Sequence, residues 1–218
     1  MSSVFVRKPI YFFEGNNRQE AVESLRDYFA RFRGSWFERL VDREEPDSIT
    51  ARDIVAVSTL SVDIPPGTAI WLLGEGKEQV TARLKRIPPE RAIWDQDADL
   101  SKGGDAWELW DLVQQNAWPS DGGATGMGTT KTSKLLAAKR PNLVPIHDDH
   151  IRRGLFGGRG PLNYWEPWQE LHQSTEGERL RNAAEVVRGE AAVSDQVSVL
   201  RIIDIVIWRW VDRHLPRA

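Results

Sequence analysis

The chain has 218 residues, a formal net charge of −3, no cysteine and ten tryptophans. That length supports one large domain or two small interleaved lobes with a real core, and the missing thiols exclude disulfides and thiolate metal or nucleophile chemistry. No apolar run is long enough for a membrane span, nor for a secretory signal at MSSVFVRKPIYFFEG, so the expectation is a cytoplasmic protein with no membrane contact.

Taken in chain order, the first candidate element is a short strand at Ile10 to Phe13, the one place where period-2 alternation is visible. Ala21, Val22, Leu25, Tyr28, Phe29 and Phe32 then recur at helical spacing. Thr50-Ala51-Arg52-Asp53 is a capping signal for a helix through Leu60, which Pro65-Pro66 ends. Shorter helices are predicted near 68–73 and 76–87, the second broken by Pro88-Pro89. Trp107, Trp110 and Val113 share one face of a helix that ends before Pro119. Gly128 to Ala138 and Asp148 to Phe156 read as two more helices. A Trp-rich stretch follows from Tyr164 to Leu171, then a helix through Val187. The last helix is expected to start near Ser194 and run through Leu200, Ile203, Ile207 and Trp210. The reading is an all-α fold over residues 1–218, a single helical domain of two interleaved lobes.

Charge is unevenly spread. Between Asp121 and Gly160 stand Lys131, Lys134, Lys139, Arg140, Arg152, Arg153 and Arg159 against Asp121, Asp148 and Asp149. That local excess of four positive charges leaves the rest of the chain at −7, and such a patch suits contact with a polyanion or an ordinary solvated face. Inside it lies Thr125-Gly126-Met127-Gly128-Thr129-Thr130-Lys131-Thr132, directly before the apolar Leu135-Leu136-Ala137-Ala138. Two glycines one residue apart permit a positive φ and close backbone approach. The helix that begins at once presents free N–H groups and the positive end of its dipole, a phosphate site to which Thr129, Thr130 and Lys131 can add donors. GxxxxGK[ST] spacing is absent, so this is no Walker A loop. Downstream, Pro145 interrupts the chain before His147-Asp148-Asp149-His150, and Asp148 falls at the start of the next helix, as an N-cap or as a functional carboxylate.

Gly126-Met127-Gly128 followed by Asp148-Asp149-His150-Ile151-Arg152-Arg153 resembles the helix-hairpin-helix DNA glycosylase superfamily. There a hydrophobic-Gly-hydrophobic-Gly hairpin precedes an Asp-x-His-hydrophobic-x-Arg segment by about two dozen residues. The resemblance is specific over about 123–156. The stretch Lys139-Arg140-Pro141 to Pro145-Ile146 and the Trp-rich tail also resemble an uncharacterised actinobacterial family carrying the same hairpin. The resemblance implies two α-helical lobes with a helix-hairpin-helix at about 115–138. It implies Asp148 as catalytic carboxylate, with Asp149 next to it as the alternative register. It implies a phosphate-binding turn in the hairpin backbone at Met127, Gly128 and Thr130; Gly126, Thr129 and Lys131 of the same turn and Lys134, Arg152 and Arg153 of the basic segment complete the expected DNA contacts. Bifunctional members carry a nucleophilic Lys where this chain has Thr130, so the implied enzyme is monofunctional and hydrolytic. It needs no cofactor and no metal, and its partner is duplex DNA with one flipped base; no obligate protein partner is evident. Trp107, Trp110, Trp118, Trp165 and Trp168 are candidates for the base pocket or for the core. The substrate classes considered are a bulky modified base, such as the glucosylated hydroxymethylcytosine of phage DNA in an antiviral role, and an ordinary damaged base. Three other readings stand beside this one. They are a non-catalytic DNA-binding module, a metal-dependent hydrolase using His147, Asp148, Asp149 and His150, and an interaction protein whose C-terminal helix, Val197 to Val211, pairs with a partner.

Overall fold

The computed structural model describes residues 5–115, 126–158 and 164–216, and among them the backbone forms α-helices, two 3-10 turns and no strand. The helices are α1 (Asn17–Arg31), α2 (Phe37–Leu40), α3 (Ala51–Ser58), α4 (Pro66–Leu73), α5 (Lys77–Leu84), α6 (Asp105–Gln115), α7 (Thr129–Lys139), α8 (Asp149–Phe156), α9 (Trp165–His172), α10 (Thr175–Glu190) and α11 (Val199–His214). The fold of the described residues is all-α. No helix among them is long and apolar enough to cross a membrane. The chain divides into two compact units, one built from its two ends (up to Phe32 and from Pro145 onward) and one from its middle, Arg33–Val144.

In the end unit, α11 packs against α1 and α8. Ala21, Val22 and Leu25 of α1, Ile151 and Leu155 of α8, and Ile202, Ile203, Val206 and Ile207 of α11 are all buried. Burying such side chains is worth roughly 1.5–3 kcal/mol each. Gly154 of α8 faces α11 with no room for a side chain: a Cβ there would lie 2.8 Å from Val211 Cγ2 and 3.1 Å from Ile207 Cγ2. Gly154→Val is therefore expected to force the helices apart and lower stability by about 1–3 kcal/mol, read as a fall in the thermal midpoint.

Ile10 to Phe13 is not a strand. Pro9–Phe13 is a 3-10 turn with Ile10, Phe12 and Phe13 buried. An isolated strand would leave its backbone groups unpaired, whereas the turn pairs them locally, with Tyr11 N–H donating to the Lys8 carbonyl at 3.0 Å. The last helix also begins later than expected. Ser198, not Ser194, is its N-cap, its hydroxyl accepting from Arg201 N–H at 3.2 Å. Residues 194–197 make a turn that leaves Val197 buried.

The middle unit is organised around α7, which packs on α3 and α6. Every residue from Thr132 to Lys139 is buried, so the helix is enclosed on all sides beyond its first turn. The buried cations Lys134 and Lys139 are engaged internally. Lys139 Nζ lies 2.6 Å from Asp53 Oδ2 and donates to the Asp42 and Glu45 carbonyls at 2.9 and 3.1 Å. Asp53, fully buried, also accepts from the Thr50 and Asp42 N–H groups at 2.8 and 3.0 Å. The expected cap of α3 is thus also the anchor of α7. Arg140, with no exposed surface, donates to the carbonyls of Ile87, Pro46, Lys139 and Leu84 and to the Asp47 carboxylate. Burial pulls its guanidinium below the usual value, and Asp47 opposes that shift. The helix from Thr50 ends at Ser58, short of Leu60, and Pro66 opens α4 rather than closing α3. At the first helical position proline loses nothing, because its missing N–H would have had no partner there.

Candidate functional site

The hairpin turn has the geometry that its glycines allow. Gly126 holds φ +66°, and a Cβ on it would lie 2.8 Å from the Pro65 ring. Gly128 is the extended N-cap of α7 and makes no side-chain cap. The first turn of α7 contains no acid. Gly126, Gly128 and Thr129 are exposed, Thr130 and Lys131 half-buried, and Met127 is buried beneath the turn. Thr132 anchors it from below, its N–H and hydroxyl reaching the Gly128 carbonyl at 3.1 and 3.2 Å. What remains at the surface is a set of backbone N–H groups at a helix start, flanked by hydroxyls and one lysine. Of the helix expected before the hairpin, Asp105–Gln115 is described; residues 116–125 lie outside the described residues.

The basic patch needs correcting. Lys134, expected on DNA, is 5% exposed, and its Nζ donates to the Leu60 carbonyl at 3.1 Å. Lys139 and Arg140 are buried in the network around Asp53 and Asp47. Desolvating three cations demands internal partners, and net charge along a segment does not report that. Arg152 and Arg153, also expected on DNA, are half-buried and turned to their own unit: Arg152 to Asp149 and the Gly158 carbonyl, Arg153 to the Pro216 carbonyl.

Asp148 caps α8. Its backbone is extended and its Oδ1 accepts from His150 N–H at 3.0 Å. The helix is closed at its other end by Gly157 in the left-handed region, φ +62°. The His150 ring nitrogen Nδ1 sits 3.5 Å from the same Asp148 oxygen. The Asp148 side chain is 16% exposed, whereas Asp149, paired with Arg152, is 52% exposed. His147 packs its ring edge-on against Tyr164 at 4.4 Å. Burial pulls the His147 imidazole down, the negative charge of Asp148 opposing it. Burial pushes the Tyr164 phenol well above its usual value, with the charges of Asp204 and Asp148 adding to the effect; its hydroxyl donates to the Ile146 carbonyl at 3.1 Å. Asp148 is thus a half-buried carboxylate at a helix start, with the His150 imidazole beside it.

A model of one protein family matches residues 21–211, from α1 to α11. The chain belongs to DUF6308, a family of unknown function. No curated protein and no solved structure matches it.

In this DUF6308 chain the tryptophans expected to hold a base are mostly core. Trp165 and Trp168 are 2% and 3% exposed, and Trp168 stacks on His172 at 5.7 Å. Trp110 is 7% exposed in the middle unit and Trp107 is half-buried. Trp118 lies outside the described residues. None of the other four lines the hollow of about 370 Å³ on the middle unit, which is rimmed by the ion pairs Arg86–Asp105 and Arg91–Asp97 over Ile87 and Leu143. Among the described residues, no group of three or more His, Asp or Glu side chains is arranged to hold a metal ion. His147, Asp148, Asp149 and His150 do not converge. Sequence reasoning missed Trp208, whose ring lies 5.3 Å from that of His150; the sign was its place off the Leu200, Ile203, Ile207 stripe of α11.

One buried histidine gives a pH prediction. His172, fully buried at the end of α9, is pushed down to about 3, by burial first and then by Arg181, which donates to its carbonyl at 2.5 Å. The unfolded chain takes up this proton near pH 6.5 and the folded protein only near 3. This stability is complete above the unfolded value and is lost as pH falls through that window, at no more than about 1.4 kcal/mol per pH unit. His172→Phe, which keeps a ring against Trp168, is expected to flatten the thermal midpoint between pH 6.5 and 3. An unchanged slope would remove His172 from the account.

Proposed function

We propose that this protein is a monofunctional DNA glycosylase with a two-lobed helix-hairpin-helix glycosylase-like fold. The observation that carries the reading is the order of two features along the chain. An uncapped, acid-free helix start behind a two-glycine turn is followed, 22 residues after Gly126, by the half-buried carboxylate Asp148 at the next helix start. The first binds a backbone phosphate of DNA without reading sequence. The second supplies negative charge beside a sugar. In the reaction, the bond between C1′ and the base nitrogen breaks and its electron pair leaves with the base. The sugar passes through an oxocarbenium-like state that Asp148 stabilises, a water oxygen bonds to C1′, and the water proton passes to Asp148 or to the departing base. The product is an abasic site. Thr130 stands where a Schiff-base lysine would be needed, which supports hydrolysis by water.

The substrate classes are a bulky modified base, glucosylated hydroxymethylcytosine of phage DNA being the specific case, and an ordinary deaminated, alkylated or oxidised base. The test is a panel of DNAs carrying each, scored for alkali-labile sites and for released base by mass spectrometry. Release from one substrate names the reaction and the base together. Salt-sensitive DNA binding with no release from any substrate would overturn the glycosylase reading in favour of a binding module. In that binding assay Lys131→Ala is expected to reduce the slope of log K against log salt by about 1, since one fewer phosphate is neutralised. Lys134→Ala is expected to leave the slope unchanged and lower the thermal midpoint.

A further inference from the structure

We infer that Trp208, with the His150 ring tilted over it, is the platform on which an extruded nucleobase stacks beside Asp148. The inference rests on the glycosylase reading and adds a binding residue to it.

The end unit holds four tryptophans. Trp165, Trp168 and Trp210 are buried, and Trp208 is the one that keeps part of its surface open. Its ring meets that of His150 at 5.3 Å and 35°. His150 in turn touches Asp148 twice, through its backbone N–H and through Nδ1. The carboxylate and the indole are therefore linked through one residue. The indole is also held from behind: Phe32 and Tyr28 meet it edge-on at 5.6 and 6.3 Å and stack on each other at 5.6 Å and 5°. Arg209 is tied to Asp27 at 2.6 Å and lies over Phe32 at 4.5 Å and over the Trp208 ring itself at 5.9 Å, so one side of the indole is held by a cation and a base must stack on the side that His150 shares; Arg201 donates to the Tyr28 hydroxyl at 2.6 Å. Such a buttress fixes the ring before a ligand arrives, so little freedom is given up when a flat partner stacks on it. A nucleobase is that partner, because every base offers a π-face and the stack is tolerant of its identity.

The full-length Asp148→Asn protein is bound to duplexes carrying one central 5-iodocytosine or 5-iodouracil, irradiated, and the crosslinked peptide is mapped by mass spectrometry. A crosslink at Trp208 or His150 supports the platform. A crosslink at another aromatic residue, or none from a bound duplex, overturns it and leaves the glycosylase reading to the excision panel. Failure to bind DNA at all overturns both. In parallel, Trp208→Ala is expected to weaken binding of a base-extruding substrate about 10- to 100-fold, as removal of one base–aromatic stack would. Trp208→Phe should keep most of the affinity, and binding to a duplex with an abasic analogue should be unchanged in both. An equal weakening on the abasic duplex would reduce Trp208 to a structural role.

Discussion

Asp148→Asn is expected to lower base excision by about 10²–10⁴-fold, the range for removing one charged group that acts on the transition state, while DNA binding and thermal stability stay near wild type. This substitution separates the capping role of the side chain from its proposed catalytic one. As the N-cap of α8, Asp148 accepts a hydrogen bond from His150 N–H. Asparagine caps helices about as well as aspartate, so the helix start survives. In the proposed reaction, what disappears is the negative charge beside the sugar. Asp148→Ala removes both and is expected to lose about 1 kcal/mol of stability as well. Asp149→Asn provides the register control. Asp149 is half exposed and paired with Arg152, and its substitution should leave the rate within a few-fold. The measurement is single-turnover release of base, with the melting temperature recorded for each variant. Wild-type rates in Asp148→Asn would remove Asp148 from the chemistry, and a large loss in Asp149→Asn alone would move the catalytic role one residue on.

Lys139→Met is expected to destabilise the protein by about 3–5 kcal/mol, a large share of the roughly 5–15 kcal/mol that holds a typical domain together. Lys139 and Asp53 are 1% and 0% exposed at 2.6 Å. Removing the cation leaves a carboxylate shut away from water and from its counter-charge, held by the Thr50 and Asp42 donors. The same change frees the Asp42 and Glu45 carbonyls, so the 42–47 loop is no longer tied to α7 by this side chain. Denaturant unfolding measures this directly. The double variant Lys139→Met with Asp53→Asn should recover part of the stability, since the buried charge goes with its partner. A single-variant loss below about 1 kcal/mol would show that the pair is not the anchor of α7.

The helical fold was legible in the chain because its information is local. The spacing of Ala21, Val22 and Leu25, the Thr50–Asp53 cap, the prolines at 88 and 89 and the two-glycine turn act over at most a few residues, and the structure shows helices at each expected place. Asp148 at the start of α8 follows from the same local rule. Errors of position came where two local rules competed: Ser194 against Ser198 as cap, and period-2 alternation against the turn started by Pro9. The charges and rings were not legible. A lysine on a helix next to a glycine turn reads as a surface cation, yet Lys134 is buried because the Leu60 carbonyl, 74 residues away in sequence, accepts from it. Arg140 and Lys139 are likewise buried through partners nearly a hundred residues earlier. For the aromatic residues, composition counts ten tryptophans and says nothing of which are covered. By itself the sequence determined most of the helices, several of their starts and the carboxylate at one of them. Which cations reach solvent, and that Trp208 rather than Trp165 or Trp168 stands open near that carboxylate, was decided by tertiary packing, because burial and pairing depend on residues that meet only when the chain is folded.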